Sequence, residues 1–283
     1  MMADSFYIHL PSDSSLDVFP DNTISRFTTK LAKPVDLDGP YEVGLSEIIY
    51  PTDYYNVDNR EENYYFGVKQ IIFIDDDETT QESYFIKSPI TSNLYYDRDE
   101  FLDGVNRQIN EAITKRRIPA RIRLTLDSSG RVCINITRFG PPLTVVPHLG
   151  TTATMFFELS EQFCKRLGFD EAVSMMVDSE GTLRAKHRFD LHMGKNLMYV
   201  YSDVVSHCLV GNVSVPLLRA CNLHPPSTNG TIHLSFPDVH YKPVQKSQFD
   251  TIDILINTEE AQKMPFISGK VLVTLHFRRL SSK

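Results

Sequence analysis

Val271-Leu272-Val273-Thr274-Leu275-His276-Phe277-Arg278 is the stretch that decides the fold. Val271, Val273, Leu275 and Phe277 fall on one face of an extended chain, and burying that face fixes the register of the strand. A segment of this kind belongs to a core sheet. Leu197-Met198-Tyr199-Val200-Tyr201 opens the same region, with Val204–Val210, Val213–Leu218, Thr231–Phe236 and Phe249–Ile256 between. Gly211-Asn212, Pro225-Pro226, Asn229-Gly230 and Ser268-Gly269 separate most of these runs. Several short strands at such spacing indicate a β-sandwich or barrel and argue against an α/β enzyme.

The other end of the chain reads in the same way. Phe6, Ile8 and Leu10 share a face in Ser5–Leu10, and Ile24–Leu31 is a second strand. After the turn Asp38-Gly39-Pro40, the residues Tyr41, Val43, Leu45, Glu47 and Ile49 alternate until Pro51. Gly44 inside that strand signals a bulge or a close backbone approach. Tyr64–Ile74 and Gln81–Lys87 form a hairpin across an acidic turn.

The character changes near Ser88. Asp97 or Asp99 is placed to cap a helix that carries Phe101, Val105, Ile109 and Ala112 or Ile113 at helical spacing. Lys115-Arg116-Arg117 complements the dipole at its C-terminal end, and Pro119 stops it. A hairpin turns at Asp127-Ser128-Ser129-Gly130 between Ile122/Leu124/Leu126 and Val132/Ile134/Ile136. A short helix starts at Ser160 and ends at Gly168, and Met175–Arg188 is expected to be loop. The expected class is therefore mainly β. Residues 1–90 and 188–283 are expected to build one β-sandwich from both ends of the chain, with 91–187 as an inserted mixed α/β lobe. Two consecutive domains are the rival, disfavoured because the first stretch offers only about four or five strands.

Composition and motif content bound the function. The 283 residues are 41% hydrophobic and 23% charged, as in an ordinary globular protein. The net charge of −7 argues against a general nucleic-acid binder. The first residues show neither a basic n-region nor an apolar h-region, so no secretory signal is expected, and no run approaches the ~18 apolar residues of a membrane span. Cys133, Cys164, Cys208 and Cys221 lack Cys-x-x-Cys spacing and are expected to be reduced thiols.

There is no Gly-x-Ser-x-Gly elbow and no phosphate-binding glycine loop. No catalytic residue, cofactor or metal is expected. His187, Asp190 and His192 have the chemistry of a zinc or iron cluster, but an exposed loop edge explains them more simply. A solvated hairpin tip does the same for Asp75-Asp76-Asp77. Glu47, on an apolar face by simple alternation, is either a perturbed acid or a partner for an arginine. Lys115-Arg116-Arg117 with Arg121 and Arg123 could touch phosphate, though helix-end charge suffices to explain them. Among the tyrosines, Tyr54, Tyr55, Tyr64 and Tyr65 are the candidates for a subunit or receptor contact, against a core-edge role.

Several segments together carry a family likeness. They are Ser5-Phe6-Tyr7-Ile8-His9-Leu10-Pro11-Ser12, Asn22-Thr23 with Phe27-Thr28-Thr29-Lys30-Leu31, and Tyr41-Glu42-Val43-Gly44-Leu45-Ser46-Glu47-Ile48-Ile49-Tyr50-Pro51. Val213-Ser214-Val215-Pro216-Leu217-Leu218-Arg219, His240-Tyr241-Lys242-Pro243-Val244, Phe249-Asp250-Thr251-Ile252-Asp253-Ile254 and Val273-Thr274-Leu275-His276-Phe277-Arg278 complete the series. The chain resembles the penton, or minor capsid, proteins of Polinton (Maverick) elements, adintoviruses and virophages. The resemblance implies a single jelly roll that forms a homopentamer at icosahedral vertices, beside a double jelly-roll major capsid protein. It implies a virion location, assembly inside the host cell, and no enzymatic role. A β-sandwich module that binds a host receptor or glycan is the alternative.

Overall fold

A computed structural model describes residues 4–59, 63–74, 79–139, 151–177, 179–192, 195–227 and 230–280. Asp75-Asp76-Asp77 lie outside the described residues. The chain divides into two compact units, residues 1–56 with 195–283 and residues 57–194.

The first unit begins with β1 (Ser5–Pro11), β2 (Arg26–Asp36) and β3 (Tyr41–Pro51). The second unit follows with β4 (Tyr65–Ile74), β5 (Thr79–Pro89), α1 (Arg98–Lys115), β6 (Ala120–Leu126), β7 (Val132–Arg138), β8 (Thr151–Leu159), α2 (Glu161–Leu167), β9 (Ser174–Met176) and β10 (Gly181–Arg184). The chain then returns to the first unit through β11 (Leu197–Ser202), β12 (Cys208–Val210), β13 (Val213–Val215), β14 (Leu217–Asn222), β15 (Thr231–Ser235), β16 (Lys242–Pro243), β17 (Gln248–Thr258) and β18 (Leu272–Arg279).

The first unit is a jelly roll by its own connectivity. One sheet runs β1-β18-β3-β15, with β16 also on β3, and the other runs β14-β11-β17-β2, all antiparallel. Apart from the β11–β14 pair, each step along the eight strands of these two paths crosses from one sheet to the other. That wrapping is two interlocked Greek keys. The inner faces meet in one core. Leu10, Val43, Leu45, Ile48, Val273, Leu275 and Phe277 come from the first sheet, and Phe27, Met198, Val200, Leu218, Ile252, Ile254 and Ile256 from the second. All four alternating residues of the closing segment, Val271, Val273, Leu275 and Phe277, are fully buried.

Two irregularities matter. Thr274 faces Glu47 while Leu275 faces Leu45, so Ser46 is an extra residue on β3. This bulge shifts the alternation: Tyr41, Val43 and Leu45 point inward, and beyond it Ile48 and Tyr50 do. Glu47 and Ile49 therefore turn outward, which corrects the placement of Glu47 on the apolar face. On β2, residues 31–34 bow out opposite Asp250, and this excursion holds Pro34, which cannot donate to a ladder. Gly44 meets a close backbone approach, since a Cβ there would lie 2.5 Å from Val239 Cγ1 and 2.8 Å from the His240 carbonyl oxygen.

The second unit pairs β5-β4-β8-β9 in one sheet and β10-β7-β6 in another. The boundary thus falls at 56/57 and 194/195, not at 90/91 and 187/188. The β4–β5 hairpin belongs to this unit because β4 pairs along its length with β8, and Phe66 and Val68 join Phe157 in its core. Residues 174–176 and 181–184, expected as loop, are short edge strands. The helices follow the expected signals. Asp97 accepts the Glu100 backbone N–H at 2.7 Å and Glu100 accepts that of Tyr96 at 2.8 Å, a reciprocal cap. Ser160 caps α2, and Gly168 ends it at φ 90°. Buried Asn106 on α1 donates to the Leu124 carbonyl at 2.8 Å and accepts the Leu124 N–H at 2.7 Å, which satisfies the open edge of β6.

Two outcomes are expected. Phe277 stacks on Phe6 and Phe249 at centroid distances of 5.0 and 5.9 Å. Phe277→Ala should lower unfolding stability of the sandwich by about 3–5 kcal/mol in urea titration. Lys195 Nζ donates to the Asn56 carbonyl at 2.8 Å, so the chain leaves and re-enters the sandwich within one side chain's reach. Replacing 57–194 by a short Gly/Ser linker should leave a folded sandwich with dispersed amide NMR signals; a molten product would show that the sandwich is not autonomous.

Candidate interaction surfaces

The outward positions of the first sheet build a cleft of about 460 Å³. Tyr7 and His9 come from β1, Thr274 and His276 from β18, Ser46 and Glu47 from β3, and the β15–β16 connection adds Phe236 and Tyr241. The bulge at Ser46 is what turns Glu47 into this cleft. There it faces His233 at 3.7 Å, with both side chains about half exposed.

His276 is the hub. Ser5 Oγ lies 2.5 Å from its Nε2 and Tyr241 Oη lies 2.6 Å from its Nδ1. The Tyr7 ring stacks on the imidazole at 4.3 Å. Burial depresses the His276 pKa, and the positive Arg278 depresses it further. Arg278 itself lies over the Tyr241 ring at 3.5 Å and pairs with Glu42 at 2.5 Å. A serine on an imidazole supplies two of the three members of a nucleophilic triad. Here the third partner is a phenol rather than a carboxylate, and the neighbouring guanidinium opposes the imidazolium that such catalysis needs. The arrangement suits a structured contact surface of rings and hydroxyls.

The four tyrosines separate. Tyr54 is buried in the sandwich core and donates its hydroxyl to the His224 carbonyl at 2.8 Å; burial raises its pKa. Tyr64 is buried in the other core, 5.9 Å from the Phe163 ring. Neither offers surface to a partner, because each ring fills its own core. Tyr55 and Tyr65 are half-buried. Lys87 Nζ sits 4.4 Å over the Tyr65 ring, and Tyr84 meets it edge-on at 6.5 Å. Exposed Tyr84, whose hydroxyl bonds Glu158, is thus the surface partner of Tyr65.

The remaining candidates are dispersed. His187 Nε2 lies 2.7 Å from Asp170, while Asp190 accepts the His192 backbone N–H at 3.0 Å. Among the described residues no group of three His, Cys, Asp or Glu side chains is arranged to hold a metal ion. Arg116 lies over the Phe85 ring at 5.4 Å, and Arg121 and Arg123 project from the outer face of β6. All four cysteines are free thiols. Burial pushes Cys221 up to about 12 and raises Cys164, so both are held as thiols rather than thiolates.

No family model matches this chain, and no curated protein does. Solved structures similar to it do exist. Among them is the crystal structure of a selenomethionine-labelled mavirus penton protein, at 12% identity and a TM-score of 0.49, over 98% of this chain and 99% of that one.

The depressed His276 pKa has a signed consequence. At pH values near the ordinary histidine value of about 6.5, the unfolded chain binds more proton than the folded one. Stability is therefore unaffected by His276 at higher pH, and a penalty develops as pH falls through that value towards the lower folded one. An NMR titration should place the His276 midpoint below that of an unstructured histidine. The loss of stability on acidification should be smaller in His276→Gln.

Proposed function

We propose that this chain is a non-enzymatic structural virion protein, a penton subunit that closes into homopentamers at capsid vertices beside a double jelly-roll major capsid protein. The observation that carries the reading is where the family-like segments fall. Ser5–Ser12, Phe27–Leu31, Tyr41–Pro51, Phe249–Ile254 and Val273–Arg278 lie along β1, β2, β3, β17 and β18, and the remaining segments lie at β13–β14 and β16. They fall on every strand of the two sheet paths except β11 and β15, and they avoid the second unit.

The sandwich suits a ring. Its strand orders put β1 and β2 at one pair of sheet edges and β15 and β14 at the other, so its two flanks are chemically different. A ring closes through a heterologous contact in which one flank meets a different flank of the next copy. Open sheet edges are also the parts of a β-sandwich that most need covering. A permanent contact of this kind would bury on the order of 2,000 Å². In this reading the particle is assembled inside the host cell, and the second unit is decoration on the vertex.

Light scattering and negative-stain imaging of the purified chain are expected to show a five-fold ring of five times the 32.4 kDa chain mass, alone or on mixing with the major capsid protein. A stable dimer that ignores that partner would overturn the reading.

A further inference from the structure

We propose that the outer face of the β6–β7–β10 sheet binds an anionic glycan, a sulfated or carboxylated oligosaccharide. The strand pattern builds this face. On β6, Ala120, Ile122 and Leu124 are buried, and Arg121 and Arg123 are exposed. On β7, Ile134 and Ile136 point inward, and Asn135 and Thr137 point outward. The register sets Arg121 beside Thr137 and Arg123 beside Asn135, with Thr182 of β10 on the other side of Asn135. Arg184 follows two residues further along β10.

The face is preorganised. Thr182 Oγ1 donates to Asn135 Oδ1 at 2.9 Å, and Asn135 Nδ2 donates to Thr125 Oγ1 at 3.1 Å. The amide is thereby held flat between two strands, and the threonine hydroxyls keep capacity for a sugar hydroxyl. The nearby acid is committed elsewhere: the Asp127 carboxylate takes Arg131 at 3.0 Å and Arg184 at 3.5 Å. Arg121 and Arg123 form no ion pair among the described residues. Two arginines two residues apart on a strand rise from backbone positions roughly 7 Å apart, and their planar guanidinium forks have the geometry that carboxylate and sulfate accept.

An apolar element completes the face. Phe139 continues the outward row beyond Thr137, is 55% exposed, and has its backbone N–H on the Pro119 carbonyl at 3.0 Å. A phenyl ring beside fixed hydroxyls and two cations matches a charged sugar, which has an apolar C–H face, hydroxyls and an anionic group. Single-stranded nucleic acid would call for a succession of rings on which bases stack, and this face carries one among the described residues. The overall charge of −7 also works against a long polyphosphate more than against a short glycan. The face lies within the second unit, so it does not depend on the vertex reading; a monomer and a ring would both carry it.

The test is calorimetric titration of the full chain with a heparin-derived octasaccharide, with sialyllactose and with an oligothymidylate. Binding of either glycan, weakening with added salt, is expected, and the one that binds decides between sulfate and carboxylate. R121E/R123E should lose roughly tenfold or more in affinity with an unchanged melting curve, since both side chains are exposed. R121K/R123K, which keeps the charge without the fork, should fall between. Phe139→Ala should weaken binding without changing the salt slope. Failure of both glycans, indifference to charge reversal, or equal binding of oligothymidylate through the same arginines would overturn the proposal.

Discussion

The antiparallel pairing of β1 with β18 is the constraint on which the sandwich depends. It joins Ser5 to Arg278 and Leu10 to Val273, and so ties the two ends of the chain into one sheet. Phe277 sits at that seam, between the rings of Phe6 and Phe249. β18 in turn carries β3, and the inner side chains of this sheet face those of β11 and β17 across the core. Without β18, β1 and β3 would each lose a neighbour and the core would open along Val273, Leu275 and Phe277. The bulge at Ser46 lies in the same β3–β18 ladder. One extra residue there sends Ile48 and Tyr50 inward, and it sends Glu47 out to the cleft around His276.

Much of this was readable in the sequence, for reasons that can be named. Local signals worked: alternation in the closing strand, the Asp97 and Ser160 caps, Gly168 as helix terminator, and the Asp127–Gly130 turn. Each depends only on neighbours within a few residues. Non-local pairing defeated the reading of residues 64–89. That hairpin has the same alternation whether it joins the sandwich or pairs with β8, and only the partner decides. Glu47 was misplaced because period-two counting has no place for an extra residue. The edge strands 174–176 and 181–184 went unseen because they bury little: every residue of Gly181–Arg184 is exposed.

The surfaces were less readable than the fold. Tyrosine chemistry fits core and interface alike, and Tyr54 and Tyr64 prove to be core residues with satisfied or packed rings. The cleft collects Tyr7, His9 and His276 from strands at opposite ends of the chain, so no short window of sequence could show it. Its signal was nonetheless present, in the polar positions that alternate with the core residues of β1 and β18. The same holds for Arg121 and Arg123, whose alternation with Ile122 and Leu124 marks a sheet face. Their nearness to Lys115-Arg116-Arg117 suggested helix-end charge instead.

The seam between β1 and β18 also imposes an order on biosynthesis. At about 5–20 residues per second, on the order of ten to sixty seconds separate the emergence of Ser5 from that of its partner Arg278. During that interval β1, β2 and β3 have an incomplete set of sheet neighbours, while residues 57–194 already hold every strand and helix of their own core. The nascent chain therefore passes through a stage in which a finished body hangs from an N-terminal segment with exposed strand edges. Those edges are open to adhesion on other nascent chains until the last strand leaves the ribosome. Lys33 and Pro34, in the excursion of β2, are residue types that disfavour such pairing.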